Sequence, residues 1–310
     1  MTELDLTVVA EGLLFPEGPI AMDDGSVILV EIARGTLTRV DADGSVDVIA
    51  EVGGGPNGAA VAPDGSIVVC NNGAAFDYLD LAGFRIPVQP PTNWTSGSIQ
   101  RVDIDSGSVE DLYRECDGRM LRSPNDIVFD AHGGFYFTDH GLRMERASDT
   151  TGVFYAHIDG SSIREVIFPL DAPNGVGLSP AGDRIYVAET HTGRIWAWEV
   201  AGPGEVASHA GMHAGGTLIY GSAGLVMYDS LAVEADGNIC IGTLGLGEGG
   251  ISVMSPDGGL VERHLIDDPL VTNICFGGPD RRTAFVTASG TGRLLSAPWP
   301  RSGLELAFNA

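Results

Sequence analysis

The sequence predicts an all-β protein, a six-bladed β-propeller, from three observations: a composition dense in turn formers, a unit that recurs six times, and short alternating strands within each unit. Of 310 residues, 44 are Gly and 17 are Pro, which disfavours long helices. The recurring unit is a polar residue, an apolar strand, a Gly- or Asp-bearing turn and a second apolar strand. Its copies are EGPIAMDDGSVILVE from Glu17, NGAAVAPDGSIVVCN from Asn57, NDIVFDAHGGFYFTD from Asn125, NGVGLSPAGDRIYVA from Asn174, DSLAVEADGNICIGT from Asp229 and NICFGGPDRRTAFVT from Asn273.

Each copy reads as a hairpin, and segments such as GTLTRVDADG, GSIQRVDIDSG and GRIWAWEV add the further strands of a four-stranded blade. A blade cannot bury both of its faces alone, so six blades in a ring use residues 1–310 as a single propeller domain, with a two-domain β-sandwich as the rival arrangement. The opening LDLTVVAEG is expected to supply an outer strand to the last blade, which closes the ring and covers exposed edges.

Acidic residues number 42 against 17 basic ones, a net charge of −25, and every basic residue is Arg. The absence of lysine removes Schiff-base catalysis and a Walker-type phosphate loop. An anionic surface repels phosphate backbones and anionic lipid, so neither nucleic acid nor a membrane is an expected partner. No apolar run approaches the roughly 18 residues that span a bilayer, and MTELDLTVVAEG lacks the regions of a signal peptide, so a cytoplasmic location is expected. Cys70, Cys116, Cys240 and Cys275 are widely spaced with no C-x-x-C pair, and read as free thiols.

The repeats share one phase. Glu17, Asn57, Asn125, Asn174, Asp229 and Asn273 each stand eight residues before the turn position held by Gly25, Gly65, Gly133, Gly182, Gly237 and Arg281. Side chains alternate along a strand, so an equal offset gives all six one height and one orientation. If the first strand of each blade lines the channel, six oxygen-bearing side chains converge there. Glu, Asp and Asn without Cys or His suit a hard cation, Ca2+ before Mg2+. Turn formation after Pro accounts for a position or two, but not for an oxygen donor in every blade.

The motifs PEGP, SPNDIVFDAHGGFYFTDHG, APNGVGLSPAGDRIYVAET and DSLAVEADGNICIGT resemble, in that order, the repeats of the SMP-30/gluconolactonase/LRE-like family of six-bladed propellers. The diisopropylfluorophosphatase and paraoxonase propellers are similar. The resemblance implies a catalytic divalent ion in the channel, usually Ca2+, with Zn2+, Mn2+ or Mg2+ as other occupants. The matching ligands are Glu17, Asn125, Asn174 and Asp229, although the equivalent of Asn125 touches substrate in some members. Where some members carry a substrate-binding Arg two residues before that Asn, this chain has Ser123, with Arg122 one step further off. That departure argues against a sugar-acid lactone. Asn57 and Asn273 complete the inner ring, Asn273 with no assigned contact.

The second strand of each hairpin returns to the same end, so its last residue is expected at the rim: Glu31, Asn71, Asp139, Glu189, Thr243 and Thr287. His140 and His191 follow closely and are candidates to overlook the channel, His140 as a general base. The remaining histidines, His209 and His213 among them, fall in turns or outer strands. The insertion GAAFDYLDLAGFRIPVQPPTNWTSG after Asn71 is long enough for a lid, with Tyr78 and Trp94 as substrate contacts beside Asn57, Asn71, Asn125, Asp139 and His191. The stretch GTLIYGSAGLVMYD is expected to add Tyr220, Met227 and Tyr228 to a roomy apolar pocket.

Together these readings predict a metal-dependent hydrolase that opens a lactone ring or another fairly apolar ester. The ion polarises the carbonyl, and Asp229 is base or nucleophile. The alternatives are phosphotriester or other ester hydrolysis at the same ion, and a non-catalytic ligand-binding propeller. The sequence leaves the oligomeric state open.

Overall fold

The computed structural model describes residues 4–91, 94–207 and 215–308. Six antiparallel sheets stand around an axis, and neighbouring innermost strands touch in cyclic order. Those strands are Pro16–Ala21, Pro56–Val61, Pro124–Phe129, Pro173–Leu178, Met227–Val233 and Val271–Gly277. The first blade is typical, with Pro16–Ala21, Val27–Glu31, Thr36–Val40 and Val46–Glu51 in order from axis to rim. In the sixth blade the outer place is taken by Thr7–Ala10, which pairs with Arg293–Pro298. The chain start thus closes the ring as the sequence predicts.

Hairpin geometry explains the constant offset of eight. Gly25, Gly65, Gly133, Gly182 and Gly237 sit at positive φ, and Arg281 takes the same left-handed conformation at φ 54° in the sixth turn. A type I turn closed by one left-handed residue links strands with the right twist, so the turn fixes the register back to the ring residue.

The second strand of each blade is buried on both faces, and its alternate residues serve two neighbours. Ile28 and Val30 pack with Ile67 and Val69 of the second blade, whereas Val27 and Leu29 pack with Leu294 of the sixth. Six apolar clusters therefore lie between successive blades, and the aromatic-rich one, with Phe129, Phe135, Phe137 and Phe154, joins the second and third. Burial of apolar surface at about 25 cal/mol per Å2 makes these clusters the main source of cohesion. Among the described residues no helix is long and apolar enough to cross a membrane. The four cysteines are free thiols, with Cys70, Cys116 and Cys240 buried and Cys275 half-buried.

Candidate metal centre and active site

The innermost strand of every blade breaks register where its ring residue lies. Asn57–Gly58 oppose Cys70 alone, Asn125–Asp126 oppose Thr138, Asn174–Gly175 oppose Ala188 and Asp229–Ser230 oppose Gly242; the first and sixth blades carry the irregularity one step away. Two residues against one form a β-bulge, which bends the strand and re-aims a side chain. The bulges also bring blades close together. A Cβ on Gly58 would lie 2.4 Å from the Asn125 carbonyl oxygen, and one on Gly175 would lie 2.7 Å from that of Asp229. Hydroxyl groups bridge other joints: Thr138 Oγ1 donates to the Asn174 carbonyl at 2.6 Å, and Ser289 Oγ to that of Pro16 at 2.5 Å.

Glu17 is held so that one oxygen is engaged and the other is not. Its Oε2 accepts from the Gly18 N–H and, at 2.8 Å, from Asn273 Nδ2, whose own Oδ1 accepts from Ile274 N at 2.7 Å. Glu17 Oε1 and Asn125 Oδ1 are buried without a partner. Asn174 Nδ2 donates to Thr190 Oγ1 at 3.1 Å, and its Oδ1 takes a long 3.3 Å bond from Ser230 Oγ. Asp229 is half-buried. Burial raises the Glu17 carboxyl above the usual range; burial, then the charge of Glu17, raises that of Asp229 well above it.

Asp126, which the sequence reading passed over, belongs to the same group. Burial first, then Glu17, pushes its carboxyl up to about 8. Its oxygens accept from Ile127 N at 3.0 Å and from Val176 N of the next blade at 3.1 Å. The signal was available: the third copy reads Asn-Asp where three others read Asn-Gly or Glu-Gly. Among the described residues, no three His, Cys, Asp or Glu side chains form a metal-binding cluster. The donors on offer are two carboxylates with amide oxygens. Two orphaned buried oxygens beside carboxyls that resist ionisation are what a cation would relieve, so the residues fit a hard divalent ion.

The rim residues have a different occupation from the one expected. Asn71 uses its whole amide: Oδ1 accepts from Gly55 N and Gly73 N, both at 2.9 Å, and Nδ2 donates to the Gly53 carbonyl and Gln100 Oε1. Asp139 accepts from the N–H groups of Arg122, Ser123 and Gly141 at 2.7, 2.6 and 3.0 Å. Both are buried and tie the backbone of the segment ahead of their own blade's ring residue. Glu31 and Glu189 act likewise, accepting from Leu14 N at 2.6 Å and Asp171 N at 2.9 Å. Thr243 turns to its own sheet.

The insertion after Asn71 folds into a hairpin, Asp77–Leu81 with Phe84–Val88, and crosses the face above the ring. Arg85 N donates to the Gly290 carbonyl of the sixth blade at 2.7 Å, and Tyr78 packs 5.2 Å from Phe15 at the entry to the first. Phe76 reaches His140 of the third blade at 6.2 Å. The Tyr78 hydroxyl is buried without a partner, a polar group free for a ligand. Trp94 is instead a clasp: its Nε1 donates to the Asn72 carbonyl, and Arg122, paired with Asp149 at 2.8 Å, lies 4.5 Å over its ring.

Among the described residues the insertion touches the sixth, first and third blades and leaves the side of the fourth and fifth, where Leu225 and Leu246 are 85% and 87% exposed. His191 is exposed there, with its ring 5.6 Å from that of His140. His140 Nδ1 contacts the Gly141 carbonyl at 3.2 Å, which makes Nδ1 the protonated nitrogen and leaves Nε2 an acceptor. Burial, then His191, lowers the His140 imidazole to about 4, and burial lowers that of His191.

Tyr220 and Tyr228 do not line the expected pocket. Thr217–Gly221 is an outer strand of the fourth blade, and both rings pack into the cluster between the fourth and fifth. His209 and His213 lie outside the described residues. A cavity of about 390 Å3 touches the ring at Asp126 and Asn273, but from below, with Leu304–Phe308 along its far end.

With this geometry in hand, the likeness to known proteins is decisive. Residues 15–290 match the family described as SMP-30/Gluconolactonase/LRE-like region. The chain belongs to this family. It is 28% identical over 312 residues to a gluconolactonase of Zymomonas mobilis subsp. mobilis, covering 92% of this chain and 79% of that one. It is 28% identical to the lactonase drp35 of Staphylococcus haemolyticus, over 78% of this chain and 67% of the relative. A diisopropyl-fluorophosphatase of Loligo vulgaris is 24% identical over 65% of each. Two solved structures share the fold: a Xanthomonas campestris gluconolactonase, with TM-score 0.73 and 22% identity over 95% and 89% of the two chains, and the calcium-binding protein regucalcin of Agrobacterium tumefaciens, with TM-score 0.70 and 16% identity over 98% and 97%.

Proposed function

We propose that this family member is a divalent-cation-dependent lactonase, with Ca2+ as its ion, Glu17, Asn125, Asn174 and Asp229 as the residues that hold it, and a fairly apolar lactone as substrate. The observation that carries the reading is the pair of orphaned oxygens, Glu17 Oε1 and Asn125 Oδ1, with the Glu17 carboxyl raised by burial and that of Asp229 by burial and then by Glu17. When bound, the ion supplies a Lewis acid that polarises the lactone carbonyl and steadies the developing oxyanion.

The chain's own residues do the rest. Asn273 and the Gly18 N–H fix Glu17 through one oxygen, which leaves the other as a monodentate donor. Asp229, half-buried on the side the insertion leaves open, takes the proton of the attacking water or attacks the carbonyl itself. In the first route water adds to the carbonyl, the ring acyl–oxygen bond breaks and the ring oxygen takes the proton from Asp229; in the second the bond breaks to an acyl-Asp229 anhydride, the ring oxygen takes a proton from solvent, and a water then opens the anhydride and frees Asp229, so that both yield the hydroxy acid. In this reading neutral His140, with Nε2 as acceptor, relays to solvent the proton released when the hydroxy acid ionises, with the His191 ring 5.6 Å from its own. Tyr78, Asn57 and Phe76 are the proposed wall against the substrate.

The test is turnover of a lactone panel before and after thorough chelation, with activity restored by Ca2+. Full activity in the chelated protein would overturn the mechanism. The likeness to a protein named diisopropyl-fluorophosphatase favours one second reading, phosphorus-ester hydrolysis at the same residues. Lactone and phosphotriester turnover measured on one preparation separates the two.

A further inference from the structure

Each blade but one carries a side chain that grips the backbone just ahead of its ring residue. Glu31 holds Leu14 N, three residues before Glu17; Asn71 holds Gly55 N, two before Asn57; Asp139 holds Arg122 N and Ser123 N, three and two before Asn125. Glu189 holds Asp171 N, three before Asn174. In the sixth blade Asp268 Oδ1 accepts from Leu270 N at 2.8 Å, three before Asn273, while Oδ2 takes Thr291 N at 2.7 Å. The fifth blade differs. Thr243, at the end of its second strand, bonds the Ile241 carbonyl at 3.2 Å and Ser252 Oγ at 2.8 Å within its own sheet. Among the described residues no side chain grips the backbone of the segment that leads into Asp229.

The grips are built rather than incidental. Glu31 and Asp139 are fully enclosed, and Glu189 is fixed a second time through Thr192 Oγ1 at 2.7 Å and Trp196 Nε1 at 2.9 Å. A buried carboxylate that accepts several bonds fixes a loop more sharply than a surface contact does. Because the gripped residue stands only two or three positions before the ring residue, across a left-handed bend at Phe15 (φ 61°) in the first blade and at Ala172 (φ 49°) in the fourth, a grip fixes that bend and with it the height at which the ring side chain enters the channel.

We propose that Glu31, Asp139 and Glu189 are positioning residues that hold Glu17, Asn125 and Asn174 as rigid ligands, whereas Asp229 is carried by its strand ladder, with Met227 and Tyr228 paired to Leu244 and Thr243. This rests on the divalent-ion reading above. It divides the ring by how its members are held: three oxygens through side-chain grips on the segment ahead of them, and the Asp229 carboxylate through backbone pairing without such a grip.

The experiment is Ca2+ titration by calorimetry on the full chain at one pH, for wild type and Asp139→Asn, Glu189→Gln, Glu189→Asp and Thr243→Val, beside melting curves of the chelated proteins. Asp139→Asn and Glu189→Gln are expected to weaken Ca2+ binding by about 10- to 100-fold, the usual scale for an outer residue that orients a ligand. Glu189→Asp keeps the charge but withdraws the oxygens from Asp171 N, so it is expected to lose nearly as much affinity as Glu189→Gln. Thr243→Val is expected to bind as wild type.

Wild-type affinity in Glu189→Asp with loss in Glu189→Gln would overturn the proposal in favour of charge alone. Wild-type affinity in every folded variant would also overturn it. Should Asp139→Asn fail to fold, the Glu189 pair decides. Wild-type protein that takes up no Ca2+ would instead remove the ion reading itself. A metal-free readout adds a second check: hydrogen exchange in the chelated proteins should quicken at 122–125 in Asp139→Asn and at 171–174 in Glu189→Gln, and stay unchanged at 227–229 in both. Unchanged exchange at the gripped segments would overturn the positioning role without reference to any ion.

Discussion

Asp229, the proposed base or nucleophile, and Tyr78, a proposed substrate contact, are the side chains whose replacement tests the chemistry most directly. Asp229 has the most strongly raised carboxyl of the ring pair and partial access to solvent. As the proton acceptor or nucleophile, its replacement in Asp229→Asn should lower kcat by about 10²- to 10⁴-fold, the range for a lost general base. Steady-state turnover on the best lactone, with the protein shown to be folded, checks this; kcat within a few-fold of wild type would assign the chemistry elsewhere. The Tyr78 hydroxyl is buried without a partner, and such a group costs stability in the free protein. Tyr78→Phe should therefore melt no lower than wild type and should raise KM about 5-fold if substrate supplies the missing bond, that factor being about 1 kcal/mol of hydrogen bonding. A lower melting temperature with unchanged KM would mean that the hydroxyl serves the fold.

At the scale of the element, the hairpin repeat was legible because its geometry is local. One left-handed residue closes each turn, and the ring residue follows from it by counting, even where Arg281 replaces Gly in the sixth blade. Burial of Asn71 and Asp139 was not legible: a polar residue at a strand end reads alike whether it faces a ligand or grips a loop 16 or 17 residues away in sequence. The clasp on Trp94 was hidden for the same reason, since the partner over its ring, Arg122, comes from the next blade. The C-terminal segment was also silent in the sequence. Gly303 N bonds the Arg281 carbonyl at 2.8 Å, Leu304 N bonds that of Val233 at 2.9 Å, and Phe308 packs 5.7 Å from Phe129. It thus crosses the far mouth of the channel from the fifth and sixth blades to the third. Cys275 lines the cavity behind it. Removal of residues 303–310 should speed alkylation of Cys275 about 10-fold or more while Cys70 and Cys240, both fully buried, stay protected. Peptide mapping after timed labelling reads this; equal Cys275 rates in both proteins would show that the segment does not limit access.

For the whole molecule, the ring concentrates acid inside a chain that already carries a net charge of −25. Glu17, Asp126 and Asp229 are all raised, burial first in each case. A carboxyl whose folded pKa lies above its unfolded value binds more protons folded than unfolded, so the stability of the metal-free protein must fall as pH rises from the unfolded range near 4 through the folded value, about 8 for Asp126. His140 acts in the opposite sense. Its imidazole is lowered to about 4, so its contribution grows as pH rises to the unfolded value near 6.5 and is constant above that. The two effects separate above about pH 6.5, where the carboxyls alone set the slope. Chelated protein should therefore melt at progressively lower temperature from pH 6.5 to 8. A cation replaces the protons and binds the folded state, so the rise in melting temperature on adding Ca2+ should grow over the same interval. Melting curves at half-unit steps of pH, with chelator and with Ca2+, measure both slopes. A flat metal-free profile, together with a Ca2+ effect that does not change with pH, would mean that these carboxyls do not share a site with the ion.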